Sequence, residues 1–113
     1  MLNINIYIYI MDIYIMDISE PSLNNFTIYS KKDCAYCIKV KNLLKNGNFI
    51  FDVIECDEYI VKDKDFFLFF MEKKIGYPYN FFPMVFHNNK FIGGFTETCE
   101  YIEKLLLSFE DNF

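Results

Sequence analysis

From Phe26 onward, hydrophobic and polar residues follow the periods of regular secondary structure. Two short β-rich segments, "FTIYS" (26–30) and "FIFDVIE" (49–55), predict strands. The residues between them predict a helix over 36–46, with Gly47 standing where a helix commonly ends. Four residues recur there at helical spacing: Cys37, Val40, Leu43 and Leu44. This region therefore predicts a strand, a helix and a second strand.

The second half of the chain predicts a helix, a hairpin and a last helix. The helix runs from about Lys62 to Ile75, with aspartates in its first turn and lysines in its last turn, as the helix dipole favours. The segment "FFPMVFHNNKFIGG" predicts two strands joined by the Asn88-Asn89 turn. Thr96 is a typical N-cap for the last helix. That helix carries an apolar stripe of Ile102, Leu105, Leu106 and Phe109.

The predicted order of elements defines a fold class. A strand, a helix and a strand make a parallel pair, and the hairpin completes a mixed sheet that helices cover. We therefore expect an α/β fold with a four-stranded mixed sheet and about three helices, which is the topology of a minimal thioredoxin-like domain.

Residues 1–22 differ from the rest in composition. The block "IYIMD" occurs twice, and isoleucine and tyrosine alternate with the period of a strand. The segment lacks the basic start and the cleavage site of a signal peptide, and it is too short and too charged for a membrane span. We expect residues 1–22 to be an extension outside the core and residues 23–113 to form one domain. An extra edge strand or a membrane-surface element is the alternative.

Composition narrows the class of protein. The chain has 113 residues, 53% of them hydrophobic, which is enough for one core. A formal charge of −5 and the absence of arginine argue against nucleic acid as a partner. Four cysteines without a secretory leader favour a reducing compartment, and we expect a cytoplasmic protein without a membrane partner.

The sequence "CAYC" places Cys34 and Cys37 at the start of the first predicted helix. The free N–H groups of a first helical turn stabilise a thiolate, so we expect a lowered pKa for Cys34. Cys37 lies one turn further in and is more shielded. The lysines Lys31 and Lys32 add positive charge nearby. This asymmetry predicts that Cys34 attacks a substrate disulfide and that Cys37 resolves the product.

A zinc site is the main chemical alternative for the two cysteines. The remaining candidate ligands are Cys56, His87 and Cys99, and none of them forms a second pair at the usual spacing. We therefore expect no metal site. Cys56 and Cys99 are interpreted as structural, although Cys56 could be half exposed, and Cys99 shares a helix face with core positions.

From Phe26 to about Phe109, the chain resembles a dithiol glutaredoxin. The resemblance rests on four segments in order: "YSKKDCAYC", "KKIGYPYNFFP", "FFPMVF" and "GGFTE". "CAYC" stands where the family usually has CPYC. The resemblance implies a glutathione-dependent thiol–disulfide oxidoreductase that reduces protein–glutathione mixed disulfides and protein disulfides. It also implies glutathione as cosubstrate, no tightly bound cofactor, and a monomer.

The resemblance also assigns residues to the site. The catalytic pair is Cys34 and Cys37. Glutathione is expected to contact Lys31 through its glycyl carboxylate, Tyr36 along one side, and the backbone of Phe82 before the cis-proline Pro83. Its γ-glutamyl end is expected at Thr96 and Glu97. The helix before the hairpin has no arginine, so a second cation could come only from Lys73 or Lys74.

Two alternative functions remain open, and the first of them follows from a departure from the family pattern. Ala35 replaces the usual proline, which relaxes one obstacle to a [2Fe–2S] cluster shared by two copies through Cys34 and two glutathiones. The second alternative is a thioredoxin-like protein that does not use glutathione, although no tryptophan precedes the cysteines.

Overall fold

The computed structural model describes residues 17–111, with side chains described for residues 17–108. It confirms the predicted α/β class and element order. The elements are β1 (Phe26–Ser30), α1 (Ala35–Asn46), β2 (Phe51–Glu55), α2 (Asp57–Ile75), β3 (Met84–His87), β4 (Lys90–Gly93) and α3 (Phe95–Asp111).

The four strands form one mixed sheet in the order β2-β1-β3-β4. Strand β1 pairs in parallel with β2 and antiparallel with β3, and β3 pairs antiparallel with β4. Asn88 and Asn89 join β3 to β4 with φ of 52° and 66°. Those left-handed values are the ones a two-residue hairpin turn requires, so the predicted turn is confirmed.

The core lies on both faces of β1, all five residues of which are buried. On one face, Tyr29 packs with Phe67 and Met71 of α2. On the other face, Phe26 and Ile28 pack with apolar residues of α1 and α3. Side chains of a strand alternate between faces, so one five-residue strand anchors both halves of the core.

Helix α2 begins at Asp57, five residues before the predicted start at Lys62. Its dihedral angles break at Asp63 (φ −161°, ψ 91°), where the side-chain Oδ1 accepts a hydrogen bond from the Phe66 N–H at 3.0 Å. Asp63 therefore caps a second helical segment, which matches the predicted helix. The first segment escapes prediction because its N-cap residue is Cys56, which is not one of the residue types that usually mark a helix start.

The last helix differs from its prediction in its start and in its apolar stripe. It begins at Phe95, so Thr96 lies inside the first turn and is not the N-cap. The expected apolar stripe is wrong at Leu106, which is 52% exposed, although Ile102 is buried. The side chain of Phe109 lies outside the described residues.

Residues 17–22, which we call the strap, lie against the core. Ile18 is 4% exposed and packs in the same cluster as Tyr29 and Phe67. The Tyr29 hydroxyl donates to the Ser19 carbonyl at 2.5 Å, and Glu20 forms an ion pair with Lys74 of α2. The composition predicts a place outside the core for residues 1–22; within 17–22, Ile18 is buried in a core cluster, whereas Asp17, Ser19 and Glu20 are exposed. The same prediction for residues 1–16 falls outside the described residues.

We expect Ile18→Ala to lower the free energy of unfolding by about 2 kcal/mol, because it removes a buried side chain from a packed cluster. The melting temperature should fall by several degrees. Leu23→Ala is the matched control, since Leu23 is 71% exposed and its loss should change stability by less than about 0.5 kcal/mol. Equal melting temperatures for the two variants would show that the strap does not pack in solution.

Candidate functional site

Cys34 and Cys37 form a disulfide at the start of α1, with their Cα atoms 5.2 Å apart. Cys34 is the N-cap residue, and its Sγ accepts a hydrogen bond from the Cys37 N–H at 3.2 Å. Cys34 is half-buried, whereas Cys37 is 1% exposed. The sulfur that solvent can reach is therefore the one at the helix N-terminus.

Hydrogen bonds hold the loop between β1 and α1 against the start of α2. Asp33 adopts a left-handed φ of 56°, which turns the chain toward α1 immediately before Cys34. The Lys32 N–H donates to both carboxylate oxygens of Asp57, at 3.2 and 3.3 Å, where α2 begins. The Cys56 N–H donates to the Ser30 carbonyl at 2.8 Å. The cysteine loop is thus fastened to the start of α2.

The charges beside the disulfide are mixed. Lys31, Lys32 and Lys41 line the groove that contains Cys34, and so do three acidic residues: Asp33, Glu55 and Asp57. Lys41 pairs with Glu55 at 3.4 Å. The lysines before the motif therefore do not form an unopposed positive field, and the positive group seen in direct contact with the Cys34 sulfur is the Cys37 N–H of the first helical turn.

A cavity of about 260 Å³ lies between α2 and the loop before β3. Lys31, Lys64, Asn80 and Phe82 are among its lining residues. The peptide bond between Phe82 and Pro83 is cis, as the family resemblance implies. Lys31 lines both this cavity and the groove of Cys34, so it connects the disulfide to the cavity.

The second cation at this cavity is Lys64, which the sequence reasoning missed. Of the two predicted candidates, Lys74 pairs with Glu20, and Lys73 lies 5.0 Å from the ring centroid of Phe69; neither lines the cavity. Lys64 follows the break at Asp63 and lies one helical turn before the buried Phe67. The spacing of Lys64 relative to the buried residues of this helix is the sequence signal that could have identified Lys64.

Tyr36, Thr96 and Glu97 line neither the cavity nor the Cys34 groove. Tyr36 is 54% exposed, and its ring centroid lies 5.9 Å from that of Phe95, where α3 begins. Thr96 is exposed in the first turn of that helix. These residues thus gather at the junction of α1 with α3.

The Glu97 carboxylate already has a partner in the double-glycine turn. Its Oε1 accepts a hydrogen bond from the Gly94 N–H at 3.1 Å. Gly93 has a φ of 134°, and a Cβ there would lie 2.7 Å from the Glu97 side chain. The close packing of Glu97 therefore requires glycine at position 93.

The two remaining cysteines are free thiols that take no part in the Cys34–Cys37 disulfide. Cys56 is fully buried, against the sequence expectation of half exposure, and its thiol donates to the Ile54 carbonyl at 3.4 Å. Burial raises the pKa of the Cys56 thiol to about 12. Cys99 is a free, half-buried thiol in α3. An un-ionised buried thiol is a poor nucleophile, so the structural interpretation of Cys56 is supported.

His87 also has a packing role. Its ring stacks on Phe26 with centroids 4.1 Å apart, and its Nδ1 lies 2.5 Å from the Tyr101 hydroxyl. Desolvation lowers the pKa of His87. These contacts give His87 a place in the packing between β3 and α3.

The fold and the cysteine pair define a thioredoxin-like dithiol protein. The family model described as Glutaredoxin matches residues 26–92. Over 76 residues the chain is 36% identical to Glutaredoxin 1 of Rickettsia typhi, an alignment that covers 67% of this chain and 68% of that protein. The chain belongs to the glutaredoxin family.

Solved structures show the same fold. Glutaredoxin 1 from Francisella tularensis, complexed with cacodylate, has a TM-score of 0.63 at 30% identity, covering 72% of this chain and 94% of that one. A buckwheat glutaredoxin–glutathione complex has a TM-score of 0.60 at 28% identity over 72% and 70% of the two chains. The holo form of glutaredoxin C1 from Populus tremula x tremuloides has a TM-score of 0.60 at 29% identity over 78% and 85%.

Within residues 17–111, none of the helices has both the length and the apolar character needed to cross a membrane.

Proposed function

We propose that this protein is a glutathione-dependent thiol–disulfide oxidoreductase. Its substrates are mixed disulfides between proteins and glutathione, and protein disulfides. The observation that carries this proposal is the asymmetry of the pair, with Cys34 reachable at the helix N-terminus and Cys37 buried behind it. We further propose that it works as a monomer in the cytoplasm, where reduced glutathione supplies the electrons.

Reduction of a glutathione mixed disulfide needs only Cys34. The Cys34 thiolate attacks the glutathione sulfur, the protein thiolate leaves and takes up a proton, and a Cys34–glutathione disulfide remains. A second glutathione thiolate attacks the glutathione sulfur of that disulfide, which forms oxidised glutathione and returns the Cys34 thiolate. The net exchange consumes one reduced glutathione: the protein thiol is released, and the glutathione that was bound to the protein leaves as half of the oxidised glutathione.

Reduction of a protein disulfide needs Cys37 as well. Attack by the Cys34 thiolate releases one substrate thiol and leaves Cys34 joined to the other substrate sulfur. Cys37 then loses its proton and attacks the Cys34 sulfur, which frees the second substrate thiol and forms the Cys34–Cys37 disulfide. The Cα separation of 5.2 Å in that disulfide is compatible with this step. Two glutathiones return the pair to the dithiol.

The cavity beside Lys31 supports a binding site for the glycyl carboxylate of glutathione. Lys31 and Lys64 supply cations on two sides of it, and the Asn80 amide supplies a further donor. The backbone of Phe82, next to the cis Pro83, would pair with the cysteinyl unit as a short strand addition. The crystallised glutathione complex of a relative of similar fold supports the same ligand here.

The γ-glutamyl end of glutathione is assigned to the start of α3. Thr96 is exposed there, and the first turn of a helix offers N–H groups to a carboxylate. Glu97 binds the Gly94 N–H through Oε1, which leaves its second oxygen for the amino group of the ligand. Tyr36, near Phe95, would flank the bound tripeptide.

A second candidate function is carriage of a [2Fe–2S] cluster between two copies. It is supported by Ala35, an exposed residue at the first position of α1 where the family usually has proline, and by the relative whose structure is described as a holo form. Cys34 of each copy and two glutathiones would ligate the cluster. Anaerobic reconstitution with iron, sulfide and glutathione should then give visible absorbance and a dimer, whereas a colourless monomer would argue against this function.

Lys31→Met and Lys64→Met should each raise the apparent KM for glutathione about two- to five-fold, because each removes one partly screened charge from the ligand carboxylate. The values of kcat should change little, and the effects should shrink at high salt. Lys73→Met is the matched control on the same helix, since Lys73 does not line the cavity. A Lys64→Met enzyme with the KM of the control would remove Lys64 from the site.

Cys34→Ser should abolish both activities, because the attacking sulfur is lost. Cys37→Ser should lose reduction of protein disulfides and keep removal of glutathione from proteins, since glutathione itself can resolve the Cys34 adduct. Both variants should be assayed with a glutathionylated protein and with a protein disulfide. The proposed roles would be contradicted by a Cys34→Ser enzyme that stays active, or by a Cys37→Ser enzyme that is inactive in both assays.

A further inference from the structure

Three aromatic rings form a nearly parallel stack that ends beneath the ammonium group of Lys31. The centroids of Tyr59 and Phe67 lie 5.9 Å apart with an interplanar angle of 15°. Those of Phe67 and Phe82 lie 6.1 Å apart with an angle of 7°. The Lys31 Nζ lies 5.5 Å from the centroid of Phe82. The stack thus connects the buried face of α2 to a cation at the mouth of the cavity.

The Phe82 ring is held in this orientation by its neighbours. Phe67, on which it stacks, is fully buried in the core. Tyr59, at the other end of the stack, accepts a hydrogen bond from the Ser19 N–H of the strap at 3.4 Å. Pro83, the next residue, is buried. Rotation of the Phe82 ring would break its contact with Phe67, so its face stays directed toward Lys31.

The lysine is held by this ring and not by a carboxylate. Among the described residues, Lys31 makes no ion pair within 4.0 Å, although Asp57 lines the same cavity. The face of an aromatic ring attracts a cation within about 6 Å of its centroid without neutralising it. The ammonium group of Lys31 can therefore pair with a ligand carboxylate without first breaking an ion pair of the described residues.

We propose that the Phe82 ring is a positioning residue for Lys31 in glutathione binding, an inference that rests on the proposed function. A lysine side chain has four rotatable methylene groups and loses conformational freedom when it binds a carboxylate. The ring confines the ammonium group to the cavity mouth before the ligand arrives, which lowers that entropic cost. The aromatic side chain before the cis-proline thus acts through its face, separately from the strand pairing of its backbone.

Phe82→Leu tests this role, because it keeps an apolar side chain and the backbone but removes the ring face. The apparent KM for glutathione should rise about two- to five-fold with kcat nearly unchanged. In a Lys31→Met background, the same substitution should add no further increase in KM. Phe82→Tyr, which restores a ring, should restore the wild-type KM.

Phe81→Leu is the matched control. Phe81 is the adjacent phenylalanine and is 69% exposed, and its ring packs edge-on against Tyr79 at 5.6 Å, so it has no part in the stack. Its KM should equal that of the wild type. Melting temperatures of all variants separate a binding effect from a loss of folded protein.

An NMR measurement detects the contact between Lys31 and the Phe82 ring without an activity assay. In ligand-free protein labelled with ¹³C at the lysine ε carbons, the Lys31 ε protons should be shifted upfield by the ring current of Phe82. The shift should vanish in Phe82→Leu and persist in Phe81→Leu. The positioning role is overturned if wild-type Lys31 shows no such shift, or if Phe82→Leu and Phe81→Leu have the same KM. If the wild-type protein does not use glutathione, the proposed function and this inference are both overturned. That outcome is distinguished from the others because neither the wild type nor any variant then has a measurable KM for glutathione.

Discussion

The burial of β1 on both faces is the constraint on which the site depends. The strand is hydrogen-bonded to β2 on one side and to β3 on the other, with Ser30 opposite Glu55 and Tyr29 opposite Met84. Because β2 runs parallel and β3 antiparallel, the end of β1 lies beside the end of β2 and the beginning of β3. The cysteine loop, the start of α2 and the loop of Phe82 and Pro83 are therefore brought to the same edge of the sheet.

This arrangement would allow a chain with net negative charge to bind the anionic cosubstrate that we propose for it. Two of the three acidic groups beside the disulfide have partners, since Asp57 accepts from the Lys32 N–H and Glu55 pairs with Lys41. The cations that line the cavity come from two different parts of the fold, Lys31 from the loop after β1 and Lys64 from the segment of α2 that Asp63 caps. Local placement of charge, and not the total of −5, decides which ligand the cavity accepts.

Features encoded by short segments could be predicted from the sequence, and features made by long-range packing could not. The CAYC motif and the Asn88-Asn89 hairpin each depend on a few adjacent residues, so their patterns were sufficient, whereas the cis bond before Pro83 was expected only from the family resemblance. Lys64 lies at the cavity only because of how α2 is rotated about its axis when its buried face packs on the core. The core position of Ile18 depends on contacts with residues far along the chain, and nothing in its own segment signals them.

The central claim is that Cys34 is the attacking thiol because it alone combines access to solvent with the N-terminus of α1. The most direct test is a pH titration of thiolate ultraviolet absorbance in the reduced protein and in its two cysteine variants. The account predicts one thiol that ionises well below the value of about 8.5 for free cysteine, retained in Cys37→Ser and lost in Cys34→Ser. Cys56 does not interfere, since burial raises its pKa to about 12. A low-pH ionisation that survives in Cys34→Ser, or its absence from the wild-type protein, would contradict the account.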